Sequence, residues 1–262
     1  MEQNRKELSA LIEGILREIP RILEGIEHLD IHQKTSYRDL VTAADRKIEA
    51  YLRQSIKGRF PSHEILGEES YQKEKNYDEE HLWIIDPIDG TSNFVKQGEG
   101  FCTILSYFSH GEPVLGYVYD IKKDLLYSAI KGVGVFANGE RLDPPVNKGL
   151  KESLASMDIR RTQNRNPELF AFLARSAFSI RVIGSSGLDG IRVVTGKVGA
   201  YLHVGGGAWD FSPFFLMADE LGLCFTDFEG RRPPLTRHSS FILACPAAHA
   251  EIMEQLRGGL PG

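Results

Sequence analysis

Two carboxylates stand three residues apart in Trp83-Ile84-Ile85-Asp86-Pro87-Ile88-Asp89-Gly90-Thr91-Ser92-Asn93-Phe94. The apolar run before Asp86 reads as a strand, and Pro87, which has no N–H, argues that the strand ends there. After Gly90, the residues Thr91, Ser92 and Asn93 are good helix starters. Asp86 and Asp89 therefore belong on a strand-to-helix turn at the carboxyl edge of a sheet, where α/β folds bind ligands. Carboxylates this close repel each other, and a hard divalent cation relieves the repulsion. Mg2+ takes oxygen ligands and is commonly held by carboxylates together with substrate phosphate. Backbone N–H groups of a helix opening at Gly90 and Thr91 suit a phosphate. The same residues also fit an Asx turn in which Asp89 caps a helix, and this segment alone does not separate the two.

Other segments carry acids at similar positions. Glu68 and Glu69 follow the short apolar run Ile65-Leu66-Gly67, and Asp39 and Asp45 flank a helix start at Thr42. Asp210 opens a helix after Gly205-Gly206-Gly207. Singly, each reads as a cap, a solvated face or an acid favoured by the helix dipole.

The elements that must position these acids follow from periodicity. Residues 4 to 27 have the 3-to-4 apolar spacing of an amphipathic helix, with Pro20 kinking or ending its first part. A polar loop spans 30 to 38, and a second helix is expected from Thr42 to about Ile56. Short strands are expected at Ile65-Leu66 and Leu82 to Ile85, then a run of strands from Phe101 to Ile130 with turns at 110 to 112 and 121 to 124. Asn138-Gly139 between apolar flanks is a hairpin signal. Further on, helices are expected at 167 to 177, 184 to 196, 208 to 221 and 248 to 257, with strands at 180 to 183, 199 to 204, 223 to 226 and 241 to 244. Runs of strands followed by alternation imply stacked helix and sheet layers.

The 262-residue chain carries a net charge of −5, which gives it no general attraction for nucleic acid or anionic membrane. Any anion it binds needs a local positive charge, and a held cation supplies one. Cys102, Cys224 and Cys245 form no C-x-x-C pair and read as buried thiols of a reducing compartment. The polar start MEQNRKELSA has no signal-peptide core, no apolar run reaches the ~20 residues of a membrane span, and a cytoplasmic location is expected.

Together the acidic segments resemble the inositol monophosphatase family of lithium-sensitive, Mg2+-dependent phosphatases. D-P-I-D-G-T-S-N-F at 86 to 94 and G-A-W-D-F at 207 to 211 match its two signature motifs. G-E-E-S at 67 to 70 and D-L-V-T-x-x-D at 39 to 45 agree in spacing and order. Gly132 to Gly139 resembles its glycine-rich hairpin, with Val135 where alanine is usual, and Ala218 to Gly222 more loosely resembles its E-A-G pattern.

The resemblance covers nearly the whole chain and implies one α-β-α-β-α domain over 1–262 and a homodimer. It implies a first Mg2+ on Glu68, Asp86 and the Ile88 carbonyl, and a second on Asp86, Asp89 and Asp210. A third ion would sit near Glu68 through waters, with Lys34 on a mobile loop beside it. Asp45 and Thr91 would position and deprotonate the attacking water. Gly90, Thr91 and Ser92 would meet the phosphate, and Gly184, Ser185 and Ser186 the rest of the substrate. His203 stands where inositol-preferring members carry a glutamate. It is expected either to line the pocket or, partly cationic, to receive a second phosphate. Arg160 and Arg161 read as surface residues, with reach to a second anionic group as the alternative. The implied reaction is hydrolysis of a small phosphate monoester, inositol 1-phosphate first, with fructose 1,6-bisphosphate, NADP and nucleotide 3′-phosphates as alternatives. A haloacid-dehalogenase-type phosphatase is disfavoured because its D-x-D-G-T spacing lacks one residue found here. A non-catalytic cation-binding protein is disfavoured because every presumed catalytic position holds a competent residue.

Overall fold

The computed structural model describes residues 2–26, 30–33, 40–73, 75, 77 and 80–258. Among these residues, seven strands form the larger sheet, in the spatial order Glu64–Gly67, His81–Asp89, Cys102–Ser109, Glu112–Asp120, Leu125–Ile130, Gly134–Ala137 and Glu140–Arg141. The first pair is parallel and the rest antiparallel. Within His81–Asp89, Leu82 to Ile85 reads as an unbroken apolar run because both faces of the strand are covered. Leu82 and Ile84 point into one cluster, while Trp83 and Ile85 point into the other, as a period of two requires.

On one side of this sheet lie the helices Glu2–Leu16, Ile19–Glu24 and Ala43–Arg59, which present Ile12, Leu16, Ile48, Leu52 and Ile56 to Trp83, Tyr117 and Tyr119. On the other side lie Ser186–Val194, Ala208–Phe211 and Pro213–Leu221. These helices are buried nearly all round, because a second sheet covers their far side. That sheet has the order Ser179–Ile180, Leu154–Met157, Ala200–Gly206, Ser239–Ala244 and Cys224–Thr226. Its strands alternate again: Tyr201, Phe241 and Leu243 face the middle helices, and Ala200, Leu202 and Ile242 face the outer ones. The outer layer holds Pro167–Ser176 and Pro246–Arg257. The result is the expected α-β-α-β-α stack.

Gly190 is where the middle layer meets itself. A Cβ there would stand 2.1 to 2.7 Å from the ring atoms of Phe214, so only glycine lets the two middle helices close. The Asn138-Gly139 hairpin forms as expected, with both residues at positive φ (47° and 84°).

Several expectations need correction. The strand does not end at Asp86: it runs through Pro87 to Asp89, with a register shift between Asp86 and Asp89. The neighbouring strand Glu64–Gly67 pairs only as far as Ile85, so Pro87 meets no ladder on that side, and its carbonyl accepts Thr103 Oγ1 at 2.7 Å. The helix expected over 208 to 221 is two helices, divided at Ser212 and Pro213. The strand expected at 180 to 183 covers only Ser179–Ile180, and the strand Leu154–Met157 has too weak an apolar pattern to be read from the sequence.

Candidate active site

The irregularity at Pro87 delivers Asp86 and Asp89 to the same place. A regular strand would send residues three apart to opposite faces, whereas the register shift turns both carboxylates towards the end of the middle layer. Asp210, in the first turn of Ala208–Phe211, approaches from that layer and accepts the Gly207 N–H at 2.7 Å. One carboxylate oxygen from each of Asp86, Asp89 and Asp210 lies within 4.8 Å of the others. Glu68 follows the strand Glu64–Gly67, and its N–H extends the parallel ladder to the Ile85 carbonyl at 3.0 Å, one residue short of Asp86. Glu49 supports this turn from below. Its carboxylate accepts the Glu69 N–H at 2.9 Å and lies where a Cβ on Gly67 would stand, about 2.5 Å away.

Burial and mutual repulsion act together on these acids. Asp86 is raised well above the usual carboxylate range by burial and then by Glu68, Asp89, Asp210 and Asp45. Asp210 is raised well above that range by burial, Asp89 and Glu68. Asp86 Oδ1 is buried with no hydrogen-bond partner among the described residues. An orphaned buried carboxylate oxygen amid like charges is an unfavourable arrangement in protein alone. Oxygen donors converging in this way fit a hard divalent cation.

Asp89 does cap a helix, but a different one from that expected. Its carboxylate accepts the N–H groups of Ser186 and Gly187 at 3.0 and 2.8 Å, Ser185 Oγ at 2.5 Å and Cys102 Sγ at 3.4 Å. It thus caps Ser186–Val194, about a hundred residues along the chain, and these bonds offset part of the rise that burial imposes. Three of them reach Oδ2 and one reaches Oδ1, so Oδ1 retains capacity for a metal.

Asp45 and Thr91 meet across a gap of 46 residues: Thr91 Oγ1 lies 3.2 Å from Asp45 Oδ1 and 2.9 Å from the Ile88 carbonyl. Asp45 is held by a capping box, its Oδ2 accepting Thr42 N–H at 2.8 Å and Thr42 Oγ1 at 2.6 Å. Burial raises Asp45, the Thr42 bonds oppose that rise, and the Glu68 charge adds to it. Gly90 makes the turn into Thr91–Gln97 at φ +87°, with the Gly100 carbonyl and Ser185 Cβ 3.1 Å from where its Cβ would be.

Beside the acids lies a cleft of about 880 Å3 lined in part by Glu68, Asp89, Gly184, Ser185, Ser186, His203 and Asp210. Asp45, Asp86, Ile88, Gly90, Thr91 and Ser92 are not among the residues lining it; Asp86 adjoins the lining through the carboxylates of Asp89 and Asp210, and Gly90 through Ser185. Ser185 and Ser186 are already engaged: Ser185 Oγ binds Asp89, and Ser186 Oγ lies 3.0 Å from Tyr201 Oη and 3.2 Å from His203 Nδ1. Lys34 lies outside the described residues.

His203 is buried, and the expectation of a partly cationic imidazole is corrected. Burial and then the Arg161 charge lower its pKa to about 4. Arg161 Nη1 lies 3.0 Å from His203 Nε2. Since the guanidinium only donates, Nε2 is the acceptor, and the imidazole proton sits on Nδ1, facing Tyr201 Oη at 2.9 Å. Arg161 is not a plain surface residue: it lines the cleft together with Arg160.

Sequence reasoning passed over Glu49, Asp189 and Tyr201, and named Thr42 only as a helix start and motif residue. The T-x-x-D spacing of Thr42 and Asp45 was a visible capping-box signal. Asp189 had none. Buried in Ser186–Val194, it accepts Ser156 Oγ at 2.6 Å and the N–H groups of Ile183 and Gly184 at 3.1 and 3.0 Å, tying that loop to the cleft.

Clustered acids on a strand end, a helix start beside them and a roomy polar cleft within a layered fold define a metal-dependent phosphatase. The model of the inositol monophosphatase family matches residues 4–259. The Inositol-1-monophosphatase of Bacillus subtilis (strain 168) is 32% identical over 257 residues, covering 96% of this chain and 97% of its own. Among solved structures, an IMPase/NADP phosphatase complexed with NADP and Ca2+ superposes with a TM-score of 0.92 at 34% identity, covering 97% of both chains. An IMPase/NADP phosphatase complexed with Mg2+ and phosphate gives 0.86 at 33% identity, covering 99% of this chain and 97% of that one. The protein belongs to the inositol monophosphatase family.

Proposed function

We propose that the protein hydrolyses small, soluble phosphate monoesters with Mg2+, and that inositol 1-phosphate is among its substrates. The observation that carries this reading is the Asp86, Asp89 and Asp210 cluster with its orphaned Asp86 Oδ1, set against the Asp45 and Thr91 pair. Glu68, Asp86 and the Ile88 carbonyl would hold one ion, and Asp86, Asp89 and Asp210 a second, with Asp86 shared. A third would sit near Glu68 through waters. Bound there, Mg2+ supplies the positive charge a phosphate dianion needs, lowers the pKa of water and stabilises the departing alkoxide.

The chain's own residues do the positioning. The Thr91 hydroxyl has one proton, directed to Asp45 or the Ile88 carbonyl, which leaves a lone pair to accept from the attacking water. With the hydroxyl proton directed to Asp45, the water would pass its proton to Thr91 Oγ1 as Thr91 passes its own to Asp45 Oδ1, the other Asp45 oxygen staying fixed by Thr42. Gly90, Thr91 and Ser92 receive the phosphate at the helix start. Gly184, Ser185 and Ser186 border the leaving group, and neutral His203 lines the pocket. Water attacks directly, so label from 18O-water should enter phosphate without first passing through an aspartate.

Residues 1–262 are read as one domain, supported by helix layers shared between the two sheets. A homodimer, a cytoplasmic location and lithium inhibition complete the proposal; among the described residues no helix is long and apolar enough to cross a membrane. The test is phosphate release from inositol 1-phosphate with Mg2+ and with EDTA. Metal-dependent release is expected. Absence of release from it and from fructose 1,6-bisphosphate, NADP and adenosine 3′,5′-bisphosphate, by folded, metal-bound protein, would overturn the phosphatase reading for this chain.

A further inference from the structure

The cleft has two electrostatic ends. The acids occupy one, where a cation fits. At the other the short helix Ile159–Arg165 carries Arg160, Arg161 and Arg165, with Asp158 as the acid beside them. Arg161 is the best held of the three. Its Nη1 bonds His203 Nε2 at 3.0 Å and the Gly205 carbonyl at 3.3 Å, and its Nε lies 3.4 Å from Asp158 Oδ2. Gly205 sits in the register shift of the strand Ala200–Gly206 at φ +68°, which turns its carbonyl out to Arg161. The same position lies 2.7 Å from Arg165 Nη1, measured to where a Cβ would stand. Arg161 and Arg165, four apart on the helix, thus converge on one point of the cleft wall.

The imidazole between the two ends is a spacer. Above Gly206, the point where a Cβ would stand is 2.9 Å from Asp210 Oδ2 and 3.2 Å from His203 Nε2. Arg161 is therefore one imidazole removed from the acid cluster. His203 accepts from Arg161 and, through Nδ1, faces Tyr201 and Ser186. It contributes no charge of its own and holds the guanidinium in place. Arg161 Nη2 makes no hydrogen bond among the described residues, which leaves its two N–H donors for a ligand. A pre-oriented guanidinium with free donors recognises phosphate or carboxylate geometry far better than a mobile ammonium does.

Resting on the proposed phosphatase reading, we infer that Arg161, positioned by His203 and Asp158 and flanked by Arg160 and Arg165, binds a second anionic group on the leaving portion of the substrate. The enzyme's preferred substrates are accordingly phosphate monoesters whose alcohol carries a further phosphate or carboxylate. The hydrolysed phosphate lies at the metal end, and the retained anion lies at the arginine end. A bare inositol phosphate fills only the first.

The test uses matched pairs that differ by one phosphate: adenosine 2′-monophosphate against adenosine 2′,5′-bisphosphate, and inositol 1-phosphate against inositol 1,4-bisphosphate. Full-length enzyme with Mg2+ is expected to show a higher kcat/KM for the bisphosphate of each pair, expressed mainly in KM. Arg161→Gln, which keeps a donor for His203 but loses the charge, is expected to shrink that preference by roughly ten- to a hundredfold, the scale of one charge-assisted contact. Arg161→Lys is expected to keep part of it. Raising the salt concentration should erode the preference, since this end of the cleft is open to solvent. Wild-type enzyme without any preference for bisphosphates would overturn the inference, as would Arg161→Gln lowering kcat/KM equally for both members of a pair. Calorimetric binding of the same ligands with Ca2+ in place of Mg2+ separates the two levels of reading. A bisphosphate preference in binding without hydrolysis would leave the arginine subsite standing and remove the phosphatase reading. Equal binding of both members would remove the subsite alone.

Discussion

Replacing Asp86 by asparagine should stabilise the metal-free protein and remove its response to Mg2+. Asp86 is 2% exposed, one of its oxygens has no partner among the described residues, and burial together with Glu68, Asp89 and Asp210 disfavours its charge. A buried, unsatisfied polar group costs about 1–3 kcal/mol, more when charged. Taking about 2 kcal/mol, and roughly 2–4 °C of Tm per kcal/mol for a chain near this size, the metal-free variant should melt roughly 4–8 °C above wild type at neutral pH. The sign follows from linkage. Asp86 binds its proton more tightly folded than unfolded, so stability is highest below the unfolded carboxylate range. It falls as pH rises through the raised folded value and stays lower above it. Metal-free wild type should therefore lose stability from about pH 4 upwards, and the variant should lose less. With Mg2+ at about a hundred times Kd, wild type should gain about 2.7 kcal/mol, or roughly 5–11 °C, and the variant little or none. Thermal unfolding followed by circular dichroism, in EDTA and in Mg2+ between pH 5 and 8, reads all of these. A metal-free variant no more stable than wild type, with its Mg2+ shift intact, would refute Asp86 as a buried charge awaiting a cation.

Asp45→Asn retains an oxygen to accept the Thr42 N–H, so it should keep the Mg2+-induced rise in Tm while kcat falls by about 10^2–10^4; a kcat near wild type would remove the role given to Asp45 and Thr91. Asp189→Ala strands the Ile183 and Gly184 N–H groups and Ser156 Oγ. It should cost about 1–3 kcal/mol in denaturant unfolding, and KM should rise more than kcat falls. Gly190→Ala drives a methyl into Phe214 and should cost about 1–3 kcal/mol, measured by chemical unfolding, with the Mg2+ requirement of the remaining activity unchanged.

The sequence by itself determined the layering and, through its match to a family's motifs, the chemistry to expect. Short apolar strands with a period of two, a helix pattern at each end and acids placed just after apolar runs are local features, and local physics suffices to read them. Asp86, Asp89, Glu68 and Asp210 stood out as carboxylates at element ends, and it was the resemblance to the inositol monophosphatase family that implied they were metal ligands. Whether each served as a cap or faced a cation was a tertiary matter. The structure made Asp89 both cap and candidate ligand by bringing Ser186–Val194 across from the far half of the chain, and no window around Asp89 contains that helix. Pro87 misled for a related reason. A missing N–H ends a strand only where a partner needs that donor, and the neighbouring strand stops at Ile85. His203 was read from its type as a possible cation, but its charge depends on burial and on Arg161, which lies 42 residues away. Asp189 left no trace in the sequence because its donors belong to a loop and a strand that only folding brings to it. Spacing along the chain fixes what a residue can do, and the energies that decide what it does come from groups distant in sequence and adjacent in space.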